Sequence, residues 1–175
     1  MKVVIIGGVA AGMSTATRLR RLVEDAQITV YEMAEHVSYA NCGLPYFVSD
    51  VISKRESLLL QTPESLFARF RIDVKIRHRV VSINRAEKSV TVENLNNGER
   101  FEDNFDKLII TTGAKPRLLP VPGIERALAL RNVTDADNIK VAIETAHHKS
   151  AVILGAGFIG IELAENLRHH DVDVT

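Results

Sequence analysis

A glycine-rich turn between a predicted strand and a predicted helix occurs twice in this sequence, and it restricts the fold more than any other feature. The second turn has the complete pattern G-x-G-x-x-G, with glycines at positions 155, 157 and 160. In such a turn Gly155 permits the tight bend, and Gly157 allows a pyrophosphate to approach the backbone. Gly160 lets the helix pack closely against the strand. The sequence therefore predicts a dinucleotide site at this turn.

The first turn, at residues 7–12, departs from that pattern. Gly7 and Gly12 occupy the first and third glycine positions, whereas Val9 occupies the middle one. The small residues at positions 8, 10 and 11 leave room around Val9. Glu32 follows Gly12 by about 20 residues, which is the spacing of a carboxylate that accepts hydrogen bonds from ribose hydroxyls. We therefore predict a second dinucleotide, and hydride transfer from a nicotinamide to a flavin is the economical reason for having both.

Apolar patterning predicts an α/β fold with two nucleotide-binding units. A strand at residues 2–6, a helix at about 11–23 and a strand at 28–31 form a βαβ unit. A helix is predicted at residues 134–148. A second βαβ unit begins after it, near residue 150, with a buried strand at 151–154, a helix at 158–169 and a strand at 171–174. We expect a Rossmann-like first unit with an inserted antiparallel β-meander, followed by the start of a second Rossmann-like unit.

The inserted segment runs from about residue 72 to residue 110. Its apolar residues alternate, and Asn96-Asn97-Gly98 is a hairpin signal between two apolar runs. We predict that the meander ends in a buried strand at residues 107–110. The Pro- and Gly-rich stretch at 115–123 predicts a domain boundary, which divides the chain into residues 1–116 and 117–175.

Cys42 is the only cysteine, so no internal disulfide is possible. It lies among polar residues at the start of a predicted helix with Pro45 in its first turn, where free N–H groups and the helix dipole favour the reactive thiolate. Without an export signal, a lone cysteine is typical of a cytoplasmic protein. Lysine and arginine balance aspartate and glutamate at 22 each, so we expect no nucleic-acid partner, and we expect no membrane or metal partner either.

These motifs resemble the single-cysteine branch of the pyridine nucleotide-disulfide oxidoreductases, with the coenzyme A-disulfide reductases and the NADH-dependent persulfide or polysulfide reductases as the most similar members. The matching segments run the length of the chain, at residues 5–12, 38–46, 61–64, 111–116, 130–132 and 155–160. The resemblance implies FAD and NAD(P)H as cofactors. Residues 1–116 would be the N-terminal part of an FAD-binding domain, and residues 117–175 the truncated beginning of an NAD(P)H-binding domain.

The resemblance also implies roles for individual residues. Cys42 would be the catalytic thiol. Contacts with the cofactors would come from Gly7, Gly8, Val9, Ala10, Ala11, Gly12, Glu32, Asn41, Val81, Thr111, Thr112, Gly113, Ala114, Arg131, Gly155, Gly157, Ile159 and Gly160. Contacts with the CoA substrate would come from Ser14, Arg18, Arg21, Ser38, Asn41 and Arg69. One branch of the family has a lysine one position after Arg69, where this chain has Phe70.

Ala10 separates the alternatives within the family. NADH peroxidases and many NADH oxidases have a histidine at the matching position, so Ala10 favours reduction of CoA disulfide, CoA persulfide or polysulfide. An oxidase or peroxidase that cycles Cys42 through a sulfenic acid is the alternative. The dithiol class requires two neighbouring cysteines and does not fit. We expect the chain to be the N-terminal part of a longer homodimeric enzyme and to be inactive by itself; the choice between NADH and NADPH stays open.

Overall fold

The computed structural model describes residues 1–175. The chain has nine strands, which are β1 (Lys2–Ile6), β2 (Gln27–Tyr31), β3 (Ile72–Lys75), β4 (His78–Asn84), β5 (Ser89–Asn94), β6 (Arg100–Asn104), β7 (Lys107–Ile110), β8 (Ser150–Ala151) and β9 (Asp173–Val174). It has five α-helices, which are α1 (Ala10–Leu22), α2 (Leu44–Val48), α3 (Pro63–Phe70), α4 (Val133–Thr145) and α5 (Phe158–Arg168).

Two compact units divide these elements. The first unit consists of residues 1–39 and 59–113, and the second consists of residues 40–58 and 114–175. The division by cofactor, at residues 1–116 and 117–175, stays a prediction. No helix has the length and apolar character needed to cross a membrane.

In the first unit, β1, β2, β3 and β7 form a parallel sheet in the order β3-β2-β1-β7. Both faces of β1 are covered, which explains its unbroken apolar sequence. Val3 and Ile5 pack in one cluster with Met13 and Ala16 of α1, while Val4 belongs to a second cluster with residues of β5. The predicted βαβ unit is thus confirmed, and β1 lies between two parallel neighbours.

The meander is smaller than predicted. Only β4, β5 and β6 form the antiparallel sheet, and Gly98 with φ of 74° lies in the connection from β5 to β6. β3 and β7, which we had placed in the meander, pair in parallel with β2 and β1 instead. β7 is also not a buried strand, because Ile110 is 60% exposed at the edge of the sheet. Pairing partners distant in sequence decided these assignments, and alternation alone does not identify them.

Tyr31, at the end of β2, connects the parallel sheet to the meander. Its hydroxyl donates to Asp103 Oδ2 at 2.8 Å, and Asp103 is also paired with Lys2. The Tyr31 ring contacts the rings of His78 and Phe101. Burial, reinforced by the hydrogen bond to Asp103 and its charge, raises the pKa of Tyr31 far above its usual range. Tyr31 therefore stays a neutral donor at physiological pH.

The second unit contains α2, α4 and α5 and the two-stranded parallel sheet β8-β9. α4 and α5 confirm the predicted helices. The buried strand predicted at residues 151–154 is wrong: β8 ends at Ala151, and Val152 and Leu154 are 72% and 63% exposed. β8 pairs only with β9, over two residues, so Val152 and Leu154 lie outside the paired strand.

Candidate functional site

The first glycine turn is fixed by a hydrogen bond to β2 and by the close approach of two of its own glycines. Gly7 has φ of 103°, and its N–H donates to Tyr31 O at 2.8 Å. A methyl group on Gly12 would lie 1.9 Å from Gly7 O, which no real contact allows. Only glycine therefore fits at position 12, and its absence of a side chain brings α1 against the end of β1.

Thr111, at the end of β7, ties this turn to the sheet. Its N–H donates to Ile6 O at 2.8 Å, and its hydroxyl lies 2.8 Å from Ile6 O and 3.0 Å from Gly7 O. A methyl group on Gly7 would lie 2.3 Å from Thr111 O. The sequence placed Thr111 near the flavin only by resemblance, whereas the structure shows a supporting role that also explains Gly7.

Glu32 lies beside the turn and is 7% exposed. One carboxylate oxygen accepts the Gly8 N–H at 2.7 Å, and the other accepts the Ala34 N–H at 2.8 Å. A carboxylate has about four acceptor positions, so two remain for further donors such as ribose hydroxyls. A side chain on Gly8 would lie 2.8 Å from Val37 Cγ1, so Gly8 is required by this packing.

Among the four helices of eight or more residues, two begin with a side-chain cap and two do not; the five-residue α2 also begins without one. The helices α3 and α4 have capping boxes, formed by Thr62 with Ser65 and by Asn132 with Asp135. The helices α1 and α5, which follow the glycine turns, have no side-chain cap. Their first N–H groups are therefore left for another acceptor, and a pyrophosphate is a suitable one. The residues present at both turns therefore fit the pyrophosphate of a dinucleotide.

Ser38 belongs to the surroundings of the first turn. Its N–H donates to Gly8 O at 3.0 Å, and its carbonyl accepts the Leu60 N–H at 3.0 Å. Its φ of 46° is unusual for a residue other than glycine and is held by these two bonds. Ser38 is thus fixed beside the first turn by its backbone.

Cys42 is exposed and lies in the middle of a short 3-10 turn, Asn41–Gly43, in the second unit. We had predicted that this thiol begins an α-helix. Instead the 3-10 turn precedes α2, which has only five residues with Pro45 in its first turn. Asn41 is also exposed. The thiol is therefore available to a substrate, as attack on an external sulfur requires.

Polar side chains support the end of α2, the helix that follows Cys42. Lys140 of α4 donates to Phe47 O at 3.2 Å, pairs with Asp50 and lies 4.8 Å from the centre of the Phe47 ring. His170 Nε2 lies 2.8 Å from Val48 O. None of these contacts was predicted, because they join residues distant in the sequence.

The second glycine turn is built like the first but is open. Gly155 has φ of 113°, and a methyl group on Gly160 would lie 2.3 Å from Gly155 O. No atom lies within 4 Å of the position that a side chain would take at Gly155 or Gly157. Ile159 is 58% exposed.

The remaining cofactor candidates lie in both units. Val9 is half-buried, while Ala10 and Ala11 are exposed at the start of α1. Val81 is 40% exposed, at the register irregularity of β4. The other candidates follow β7 or precede α4: Thr112 and Gly113 in the first unit, and Ala114 and Arg131 in the second.

The substrate candidates of α1 share one face, since Ser14, Arg18 and Arg21 are spaced by about one and two turns and are all exposed. Arg21 and Arg69 line the same cavity, whereas Arg18 does not line it. Two further arginines, Arg20 and Arg71, also line this cavity. Sequence reasoning did not include either arginine among the candidates. The signals that could have indicated them are the consecutive pair Arg20-Arg21 and the arginine that directly follows α3.

Comparison with known proteins gives a consistent result. The sequence profile of the family described as pyridine nucleotide-disulphide oxidoreductase matches residues 1–175. The coenzyme A disulfide reductase of Staphylococcus haemolyticus is 38% identical over 174 residues, which are 99% of this chain and 39% of that protein.

Two solved structures superpose closely. Reduced Bacillus anthracis CoADR-RHD has a TM-score of 0.94 at 45% identity, over 99% of this chain and 32% of that one. A NAD-dependent persulfide reductase from A. fulgidus has a TM-score of 0.94 at 37% identity, over 99% of this chain and 33% of that one. The chain therefore spans well under half the length of the proteins it matches.

Proposed function

The chain belongs to the pyridine nucleotide-disulphide oxidoreductase family, and from this premise we propose that it is part of an enzyme that reduces a disulfide or persulfide of coenzyme A through Cys42. The observation that carries the proposal is the exposure of this thiol, the only one in the chain, in the 3-10 turn before α2. A single accessible thiol can form a mixed disulfide with an external substrate and cannot form an internal one.

FAD and NAD(P)H are the cofactors of this family. The first turn, with Gly7, Gly12 and the carboxylate of Glu32, would hold FAD, and the second turn would hold NAD(P)H. When bound, FAD supplies two electrons received from NAD(P)H. The uncapped starts of α1 and α5 support this assignment, because each leaves N–H groups for a pyrophosphate.

The chemistry of Cys42 follows from its thiolate. The thiolate attacks one sulfur of CoA disulfide, so that a mixed disulfide forms and one CoA thiolate leaves. Two electrons then break the mixed disulfide, release the second CoA thiol and restore the Cys42 thiolate. One NAD(P)H and one proton are consumed for two thiols produced. Asn41, adjacent to Cys42, and Ser38 are proposed to contact the substrate.

Ala10 supports disulfide reduction over reduction of oxygen or peroxide. It is exposed at the start of α1, and its methyl group has no proton to donate. An oxidase or peroxidase that forms a sulfenic acid at Cys42 is the competing assignment, and it is distinguished by the electron acceptor.

The test is Cys42→Ser in the flavin-loaded, full-length enzyme of which this chain is proposed to be a part. We expect reduction of CoA disulfide to fall by about 1,000-fold or more, because a serine hydroxyl does not form a mixed disulfide. The flavin absorbance near 450 nm should be retained. Val51→Ser is the matched control, because Val51 is also exposed in the second unit, and it should leave turnover unchanged.

Retained turnover of CoA disulfide in Cys42→Ser would refute the proposal. The wild-type protein should also be assayed with CoA persulfide, oxygen and peroxide in parallel. Preference for oxygen or peroxide would favour the competing assignment.

A further inference from the structure

The helix α2, which follows the Cys42 turn, has only five residues. A helix of this length is not stable in water by itself, so its position depends on the residues that pack around it. The side chains of Leu44, Phe47 and Val48 are buried. Apolar burial is not directional, however, and it does not fix the orientation of a short helix. A fixed orientation of α2 therefore requires directional contacts as well.

Such contacts are present at the C-terminal end of α2, where a helix leaves its last carbonyls without partners inside the helix. Lys140 Nζ, from α4, donates to Phe47 O at 3.2 Å. His170 Nε2, from the segment after α5, lies 2.8 Å from Val48 O. Because a carbonyl oxygen can only accept, this nitrogen is the donor. Two other segments of the second unit thus each supply a donor to the end of α2.

Asp50 lies beside both donors. It has φ of 63° and comes two residues after the end of α2. Its carboxylate is paired with Lys140 Nζ, and its Oδ2 lies 3.5 Å from His170 Nε2. The Asp50 side chain is 54% exposed, so these ionic contacts contribute little to the stability of the fold. Their effect is on geometry, because one carboxylate directs two donors to two successive carbonyls.

A buried polar pair adds a further contact at the same end of α2. Ser49 and Asn166 are 7% and 3% exposed. The Ser49 hydroxyl donates to Asn166 Oδ1, and Asn166 Nδ2 donates to Glu162 O at 2.7 Å. The second bond determines which way the amide of Asn166 faces, because only its nitrogen can donate. The residue that directly follows α2 is therefore attached to α5 as well.

We infer that Asp50, Lys140 and His170 are positioning residues for Cys42, which they orient by fixing the end of the helix that follows it. This inference rests on the proposed function. Attack of a thiolate on a disulfide requires alignment of the sulfur atoms, and a small displacement of the attacking group slows such a step strongly. The three residues contact α2 and its end rather than the substrate candidates of α1. Their loss should therefore lower kcat and leave KM unchanged.

The first experiment is Lys140→Met in the flavin-loaded, full-length enzyme. We expect kcat for CoA disulfide to fall by about 10-fold, with KM changed by less than about twofold. Lys140→Arg keeps both the charge and a donor, so it should restore most of the lost activity. Lys54→Met is the matched control, because Lys54 is an exposed lysine of the same unit without a side-chain contact. Unchanged kcat in Lys140→Met, an increase in KM alone, or equal losses with methionine and arginine would overturn the role of Lys140.

His170 offers a control in the adjacent residue, His169, which is exposed. His170→Phe removes the donor to Val48 O and should lower kcat by about 3-fold or more, whereas His170→Gln keeps an N–H donor and should restore it. His169→Phe should have no effect. Equal effects of phenylalanine at both positions would remove His170 from the inference.

Asp50→Asn tests the residue that directs the two donors. Asparagine tolerates the left-handed conformation, so this substitution removes the charge without straining the backbone. We expect the same fall in kcat at unchanged KM as in Lys140→Met. Unchanged kcat would show that Asp50 does not direct Lys140 and His170.

Hydrogen exchange of the backbone amides separates this inference from the proposed function. In Lys140→Met the amides of residues 44–52 should exchange about 10-fold faster, while those of α1 should not change. Faster exchange in an enzyme that does not reduce CoA disulfide would sustain the role of these residues in fixing α2 and refute the proposed function. Unchanged exchange at α2, or equal acceleration in α1 and α2, would overturn the inference even in an active reductase.

Discussion

The two glycine turns have nearly the same internal geometry. The first glycine of each has a positive φ, 103° at Gly7 and 113° at Gly155. The third glycine of each lies against the carbonyl of the first, so that a methyl group would come within 1.9 Å at Gly12 and 2.3 Å at Gly160. Both helices that follow begin without a side-chain cap. The features that the two turns share therefore come from contacts within the six-residue motif itself.

Their surroundings differ. Thr111 and Glu32 lie directly against the first turn, whereas no atom lies within 4 Å of the position that a side chain would take at Gly155 or Gly157. The strand before the first turn has parallel neighbours on both sides, and the strand before the second has one on a single side. The difference shows that the motif forms the turn, whereas residues at the ends of neighbouring strands supply the side chains that surround it.

The largest expected effect comes from a methyl group at the third glycine. Gly12→Ala should destabilise the first unit by about 3 kcal/mol, because backbone atoms cannot move away from the added carbon without separating α1 from β1. FAD should be lost as well. The measurements are urea unfolding and flavin absorbance of the purified protein.

Gly160→Ala is the matched variant. Its clash with Gly155 O should destabilise the second unit but leave the flavin bound. Loss of flavin in both variants, or in neither, would contradict the assignment of the first turn to FAD.

An intermediate effect is expected from Thr111→Val, which keeps the shape of the side chain but removes its hydroxyl. Hydrogen bonding to Ile6 O and Gly7 O is lost, and we expect about 1–2 kcal/mol of destabilisation in urea unfolding. Thr145→Val is the control, since the Thr145 hydroxyl donates only within its own exposed helix end, to Val141 O. Equal effects of the two substitutions would mean that Thr111 does not support the turn.

The smallest effect on stability is expected from Gly157→Ala. Its φ of −75° is ordinary for alanine, and its surroundings are open, so the free energy of unfolding should change by less than about 0.5 kcal/mol. Affinity for NAD(P)H should nevertheless fall, because the methyl group would occupy the space that a pyrophosphate approaches. Gly8→Ala, which would meet Val37 and Glu32, provides the contrast: it should be destabilising. Unchanged NAD(P)H affinity in Gly157→Ala would contradict the proposal that the second turn binds NAD(P)H.

Sequence reasoning succeeded where a signal is local. The helices α1, α4 and α5 were predicted within a few residues, because the apolar period that identifies each of them lies within its own segment. Sequence reasoning failed for strands whose pairing partners in the sheet lie far away in the sequence. The strand predicted at residues 151–154 shrank to two residues, and β3 and β7 left the meander for the parallel sheet. The helix expected at Cys42 became a 3-10 turn before the short helix α2.

The sequence by itself determined the family, the two glycine turns and the single thiol, because each depends on residues that are adjacent along the chain. Only the tertiary structure showed that Thr111 closes the first turn, that Glu32 bonds its backbone, and that Arg20 brings Arg71 to the cavity beside Arg21. These contacts join segments separated by up to about a hundred residues. Such distances in sequence carry no periodic signal, so they are fixed only when the strands and helices pack together.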